Sequence, residues 1–182
     1  PRSTLFPYTT LFRSVGVCDG ALDRTSIFIK GKVIQYVPWG EEEDGDGNKP
    51  HVSDILHGTH TAGTIAGQSI ATANNDYSRF NGMAPAANIS FFSILSPHGG
   101  KLLPPKPSIL LDTNARAGAK VHSNSWGSSG TEGYARLSKE FDEWLYTHPD
   151  HLVVAAAGNG GPMRAHISSP ANAVNVLAGG GT

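Results

Sequence analysis

Short apolar runs that open into glycine and polar residues recur along the chain, and each marks a candidate strand. Val15-Gly16-Val17-Cys18 opens into Asp19-Gly20-Ala21-Leu22-Asp23, and Leu152-Val153-Val154-Ala155-Ala156-Ala157 opens into Gly158-Asn159-Gly160-Gly161. Runs without polar alternation predict strands covered on both faces, as in a parallel sheet flanked by helices. Residues 88–95, 119–127 and 173–178 are further candidate strands, interrupted by polar residues, and Ile27-Phe28-Ile29 together with 32–37 predicts two strands around Gly31.

Between these runs the apolar spacing becomes helical. Ala62, Ile65 and Ala66 predict a helix with His57 displayed at its start, and Gly58, Gly63 and Gly67 leave its backbone open to close crossing. Residues 107–117 predict a second helix, with Pro107 in the first turn, Ile109, Leu110 and Leu111 as its apolar positions, and Gly118 as the stop. Tyr134, Leu137, Phe141, Trp144 and Leu145 form a third stripe, ended by His148-Pro149 and suited to a core rather than to a cofactor. Strands alternating with helices predict a three-layer α/β domain: a mainly parallel sheet with helices on both faces.

Composition narrows the function without naming it. A chain of 182 residues that is 38% apolar suffices for one domain with its own core. A formal net charge of −1 with no basic cluster argues against a nucleic-acid partner, and no apolar run reaches membrane-spanning length. The single cysteine, Cys18, rules out an internal disulfide. Residues 4–14 read as a translated sequencing adapter, so 1–14 are set aside and genuine sequence is expected from Val15 onward. Any propeptide of the parent protein would then lie upstream.

The chemistry centres on His57-Gly58-Thr59-His60-Thr61-Ala62-Gly63. This stretch resembles the His motif of the subtilisin-like serine proteases, His-Gly-Thr-His-x-Ala-Gly, and the resemblance implies that His57 is a general base. Asp19, at the end of an apolar run, resembles the Asp motif of the same family, although Gly20 and Ala21 stand where Thr-Gly is usual. Asp23 is the rival carboxylate, with a solvated turn as its alternative role. Gly82-Met83-Ala84-Pro85 resembles the family segment that precedes a central strand. Ser96, Gly99 and Gly100 would then form the loop that pairs with substrate as an added strand. Ser125-Trp126-Gly127 resembles the specificity-pocket segment, with a core aromatic as the alternative for Trp126. Asn159 matches the amide that donates to the oxyanion, with a left-handed turn as its alternative.

Subtilases order their catalytic residues Asp, His, Ser, so Asp19 and His57 would be followed by a Gly-Thr-Ser-Met-Ala type motif. No such motif occurs in the 182 residues. The resemblance therefore implies a subtilisin-like catalytic domain over 15–182, truncated before its nucleophile. The parent would be a serine endopeptidase acting on polypeptides, and this stretch alone would be inactive. The alternative is a non-catalytic, peptide-binding pseudoprotease domain. A nucleotide-binding protein is disfavoured by the absence of a Gly-x-Gly-x-x-Gly or Walker pattern after a strand. A metal hydrolase would need His57, His60 and Asp19 to converge. No cofactor is required by the implied chemistry. Asp44, Asp46 and Asn48 have the spacing that opens a calcium loop, but Ile55 stands where a closing glutamate belongs. The resemblance points to a secreted or extracytoplasmic setting, which the residues themselves do not encode.

Overall fold

A computed structural model describes residues 14–39, 52–69, 77–95, 104–128, 133–161 and 167–181. Six strands form one sheet: β1 (Ser14–Asp19), β2 (Val33–Pro38), β3 (Asn88–Ser93), β4 (Ala119–Asn124), β5 (Leu152–Ala156) and β6 (Leu177–Gly179). Their order is β2-β3-β1-β4-β5-β6, and every pairing is parallel. Three helices flank it: α1 (Val52–Ala66), α2 (Pro107–Arg116) and α3 (Arg136–Thr147).

Alternation along the central strands builds two cores from one sheet. Val17 of β1 packs with Ile89 and Phe91 of β3 against Ala62 and Ala66 of α1. The neighbouring residues, Cys18 and Phe92, face the other way, into a cluster with Leu110 and Leu111 of α2 and Phe141, Trp144 and Leu145 of α3. Helices thus cover opposite faces, and β1 and β3 are apolar on both. This is the α/β layering that the sequence pattern predicts.

β1 lies inside the sheet, with β3 and β2 on one side and β4, β5 and β6 on the other. The winding reverses beside β1, and in open α/β sheets a crevice forms at such a switch, outside the carboxyl ends of the strands. Asp19 is the last residue of β1 and pairs in register with Ser93, the last of β3. Ser14, expected to precede genuine sequence, already pairs with Asn88 and Ala119 in the ladder.

Several elements differ from expectation. Ile27-Phe28-Ile29 is not a strand: Ile29 and Lys30 donate to Ser26 O, and Lys32 donates to Ile29 O through Gly31 at φ +80°. Local turns consume the backbone groups a ladder would need, and buried Ile29 acts as a plug beneath α1. Helix α1 begins at Val52, so His57 stands in its second turn rather than at its start. Residues 125–127 fall outside β4, and the last strand is Leu177–Gly179, later and shorter than expected. Finally, β5 and β6 are not covered on both faces: Leu152 is 42% and Leu177 56% exposed.

Candidate active site

Two elements deliver the charged pair. β1 ends at the switch point and presents Asp19, 2% exposed, and α1 crosses above it with His57. The crossing is close because Gly58 has no side chain: a Cβ there would lie 2.1 Å from Ala21 O and 3.0 Å from Phe91 Cζ. Thr59 ties the two elements together, accepting from Asp23 N at 2.9 Å and donating to Ile55 O at 2.6 Å. Of the other two helix glycines, Gly63 faces open space. Gly67 N bonds Gly63 O at 2.8 Å where the helix ends.

The resulting geometry is specific. His57 Nδ1 lies 2.7 Å from Asp19 Oδ1. The same oxygen accepts from Gly20 N at 2.7 Å, and Asp19 Oδ2 accepts from Thr61 Oγ1 at 3.0 Å. A carboxylate can only accept in this arrangement, so a neutral ring must carry its proton on Nδ1 and turn Nε2 outward. The ring is 56% exposed, which leaves that outer nitrogen reachable.

Asp23 plays a different part from Asp19. Its Oδ1 accepts from Thr25 N at 2.8 Å and Thr25 Oγ1 at 2.6 Å in an exposed turn, and these bonds hold its pKa below the usual carboxylate range. His60 points elsewhere on α1, toward a cavity of about 580 Å³ that Phe28, Thr64, Phe80 and Met83 also line. Among the described residues no group of three or more His, Cys, Asp or Glu side chains is placed to hold a metal, so His57, His60 and Asp19 form no such site. Asp44, Asp46 and Asn48, the candidate calcium loop, lie outside the described residues, as do Ser96, Gly99 and Gly100.

Asn159 follows β5, which lies two strands from β1 in a parallel sheet, so the chain reaches it from the same carboxyl edge at which β1 ends in Asp19. It is solvent-exposed in a bend after Gly158, whose φ of +108° turns the chain. Among the described residues its carboxamide bonds to neither Asp19 nor His57. Ser125 is half-buried and Gly127 exposed beyond the end of β4. A Cβ on Gly127 would lie 2.5 Å from Ser168 Oγ, because Ser128 N bonds Ser169 O at 2.9 Å and brings the two segments together. The Trp126 side chain is 6% exposed, with its ring centroid 6.3 Å from that of Phe141, as the core alternative for this residue expects. The large aromatic belongs to the core, and only its main chain remains to meet a ligand.

Three features escaped the sequence reading. Thr61 falls at the variable position of the His motif, yet it lies one helical turn after His57, the spacing that puts two side chains on one face. Asn124 ends β4 beside Cys18, 1% exposed, with neither amide atom hydrogen-bonded among the described residues. Cys18 itself is enclosed, and burial pushes its thiol pKa far up, leaving it inert. Away from this site, His122 Nε2 lies 2.9 Å from His151 Nδ1, a part-buried contact that no local sequence spacing announces.

An acid at a sheet switch point holding an imidazole that faces solvent is a hydrolase-type arrangement on an α/β scaffold. The Subtilase family profile matches residues 13–182, and the chain belongs to that family. Among curated relatives, the serine protease/ABC transporter B family protein tagD of Dictyostelium discoideum is 36% identical over 152 residues, covering 80% of this chain and 8% of that protein. The tagB protein of the same organism is 31% identical over 150 residues, covering 80% and 7%. The crystal structure of the psychrophilic subtilisin-like protease Apa1 from Pseudoalteromonas sp. AS-11 superposes with a TM-score of 0.64 at 26% identity, over 91% of this chain and 35% of that one. The protease domain of PatA gives 0.65 at 22% identity, over 91% and 56%. The chain thus spans a small fraction of the curated relatives and about half or less of these solved domains.

Proposed function

We propose that this chain is part of a serine endopeptidase that hydrolyses peptide bonds through an Asp-His-Ser triad, with Asp19 as the orienting acid, His57 as the general base and Asn159 as an oxyanion donor. The observation that carries the reading is the 2.7 Å contact between Asp19 Oδ1 and His57 Nδ1 at the switch point of the sheet. Asp19 holds the ring in the tautomer whose Nε2 takes a serine proton as the hydroxyl attacks the substrate carbonyl. It then stabilises the imidazolium that forms. The same proton passes to the leaving amine, and water repeats the cycle to release the acyl group. Negative charge on the carbonyl oxygen is met by donors at the carboxyl edge, where the exposed Asn159 amide stands.

The nucleophile motif is not among the 182 residues, so the chain on its own does not acylate. Its polypeptide substrate would pair in extended form with the Ser125-Trp126-Gly127 segment, while Ser96, Gly99 and Gly100, the other contacts the resemblance implies, lie outside the described residues. No metal or cofactor is needed for these steps, and an extracytoplasmic setting for the parent goes with the family reading. A serine-directed fluorophosphonate probe tests the proposal in two arms. A longer protein that extends beyond Thr182 to the serine motif is labelled stoichiometrically, and the present chain is not. Labelling of the present chain, or none of the longer one, overturns it.

A further inference from the structure

We propose that Thr61 is a positioning residue that fixes the Asp19 carboxylate in the orientation His57 needs. The inference rests on reading Asp19 and His57 as an acid–base pair. Three groups donate to that carboxylate. His57 Nδ1 and Gly20 N both reach Oδ1, each at 2.7 Å, and Thr61 Oγ1 reaches Oδ2 at 3.0 Å. Among the described residues Thr61 is therefore the sole donor on the second oxygen. A carboxylate anchored at one oxygen can still turn about its terminal bond, whose torsion is broad and two-fold. Anchoring both oxygens removes that freedom and keeps Oδ1 aimed at the ring.

Helix geometry explains how one element supplies both partners. His57 and Thr61 are one turn apart on α1, so both side chains descend on the end of β1. The branched Thr side chain has few χ1 choices in a helix, which places its hydroxyl without a long flexible arm. The other threonines of α1 with described hydroxyls spend them on the helix itself. Thr59 Oγ1 donates to Ile55 O at 2.6 Å and Thr64 Oγ1 to His60 O at 2.9 Å, each four residues back.

Thr61 has a competing acceptor, Gly58 O, also at 3.0 Å, and one proton to give. The charge on Asp19 decides the contest, because a bond to an ionised acceptor is roughly twice as strong as one between neutral groups. With Asp19 ionised, the proton lies on Oδ2. Gly20, the residue next to the acid, brings a main-chain N–H but no hydroxyl, so α1 supplies what the strand end lacks.

The test is made on the 182-residue chain by NMR of its ¹⁵N-labelled imidazoles at neutral pH, with His57 identified by its loss in His57→Ala. In the parent chain the neutral ring is held as the Nδ1–H tautomer. Thr61→Val, which keeps the shape and removes the donor, raises the Nε2–H population of His57 about fivefold, the scale of one lost hydrogen bond. Thr61→Ser restores the original ratio. A Val variant with an unchanged His57 pattern overturns the proposal. If that variant does not fold, Thr61→Ala removes the same hydroxyl without adding bulk and is judged in the same way. Asp19→Ala separates the two levels: a His57 tautomer indifferent to Asp19 sinks the acid–base pair itself. A response to Asp19→Ala but not to loss of the Thr61 hydroxyl sinks only the role of Thr61.

Discussion

Asp19 and His57 meet at 2.7 Å as an unequal pair, the carboxylate 2% exposed and the imidazole 56% exposed. Burying the acid removes its alternatives, since its oxygens bond only to Gly20, His57 and Thr61 among the described residues. Exposing the ring leaves its far nitrogen free to work. On the proposed function, Asp19→Asn in a longer protein that carries the serine motif preserves the size of the side chain but offers His57 an amide that can donate as well as accept. Turnover is expected to fall about 10⁴-fold, the loss known for the equivalent change in a Ser-His-Asp protease. Steady-state hydrolysis of a peptide substrate checks this, and a loss under tenfold would separate Asp19 from the mechanism.

Glycines in α1 make a second, purely structural comparison. Gly58 passes so near the segment after β1 that an added Cβ would stand 2.1 Å from Ala21 O, whereas one on Gly63 meets nothing within 4 Å. Gly58→Ala must push the helix off the strand end and is expected to destabilise by about 1–3 kcal/mol. Gly63→Ala should stabilise by about 0.5–1 kcal/mol through helix propensity alone. Urea midpoints of the two variants are expected to move in opposite directions.

The sequence carried the parts of the fold that repeat. Doubly apolar β1 and β3 announce a covered parallel sheet, and of the stripe expected to be core Phe141, Trp144 and Leu145 are buried on α3 with Leu137 packed against them, while Tyr134 lies before the helix and is 55% exposed. His57 sits in a dense local motif, whereas Asp19 is marked mainly by its place at the end of an apolar run, and the 2.7 Å contact between them is what no local pattern could state. For Trp126 the motif places the segment, and the sequence leaves open whether the indole joins the pocket or the core. Which way a side chain turns beyond a strand end is a tertiary matter, settled by Phe141 from α3. Ile27-Phe28-Ile29 misled for a related reason: apolarity reports burial, and a turn can bury Ile29 as well as a strand can. Thr61 and the His122–His151 pair depend on contacts across 42 and 29 positions, where no periodicity reaches.

Trp126 yields a prediction that divides packing from recognition. Its side chain lies in the cluster with Cys18, Phe92 and Phe141. Trp126→Ala should therefore act on stability, by about 3–5 kcal/mol for a large aromatic removed from a core. Trp126→Phe should recover most of that loss. On the proposed function, in a longer protein that carries the serine motif the ratio of kcat/KM values between substrates differing in one side chain should stay unchanged in the Phe variant. A changed ratio would return the indole to the specificity pocket.

The sharpest pH dependence lies away from the Asp19–His57 site. His122 on β4 is 1% exposed, lies 2.9 Å from His151 Nδ1, and meets the edge of Trp144 with ring centroids 5.6 Å apart. Lys120 Nζ approaches His151 Nε2 at 3.1 Å and pairs with Asp150. His148 stacks on Trp144, whose indole donates to Asp112 at 2.7 Å. Burial, reinforced by the cationic surroundings of His151, Lys120 and His148, pushes the His122 pKa down to about 3, and burial also lowers that of His151. An unfolded chain protonates these rings as pH falls through about 6.5, and the native state resists. The unfolded state then holds more protons, so stability is full above that pH and declines below it. For His122 the decline is up to about 1.4 kcal/mol per pH unit between about 6.5 and 3. His122→Gln removes the titrating group and should flatten the fall in urea midpoint between pH 7 and pH 5. Parallel slopes in the two proteins would show that His122 takes up its proton equally in the folded and unfolded chains.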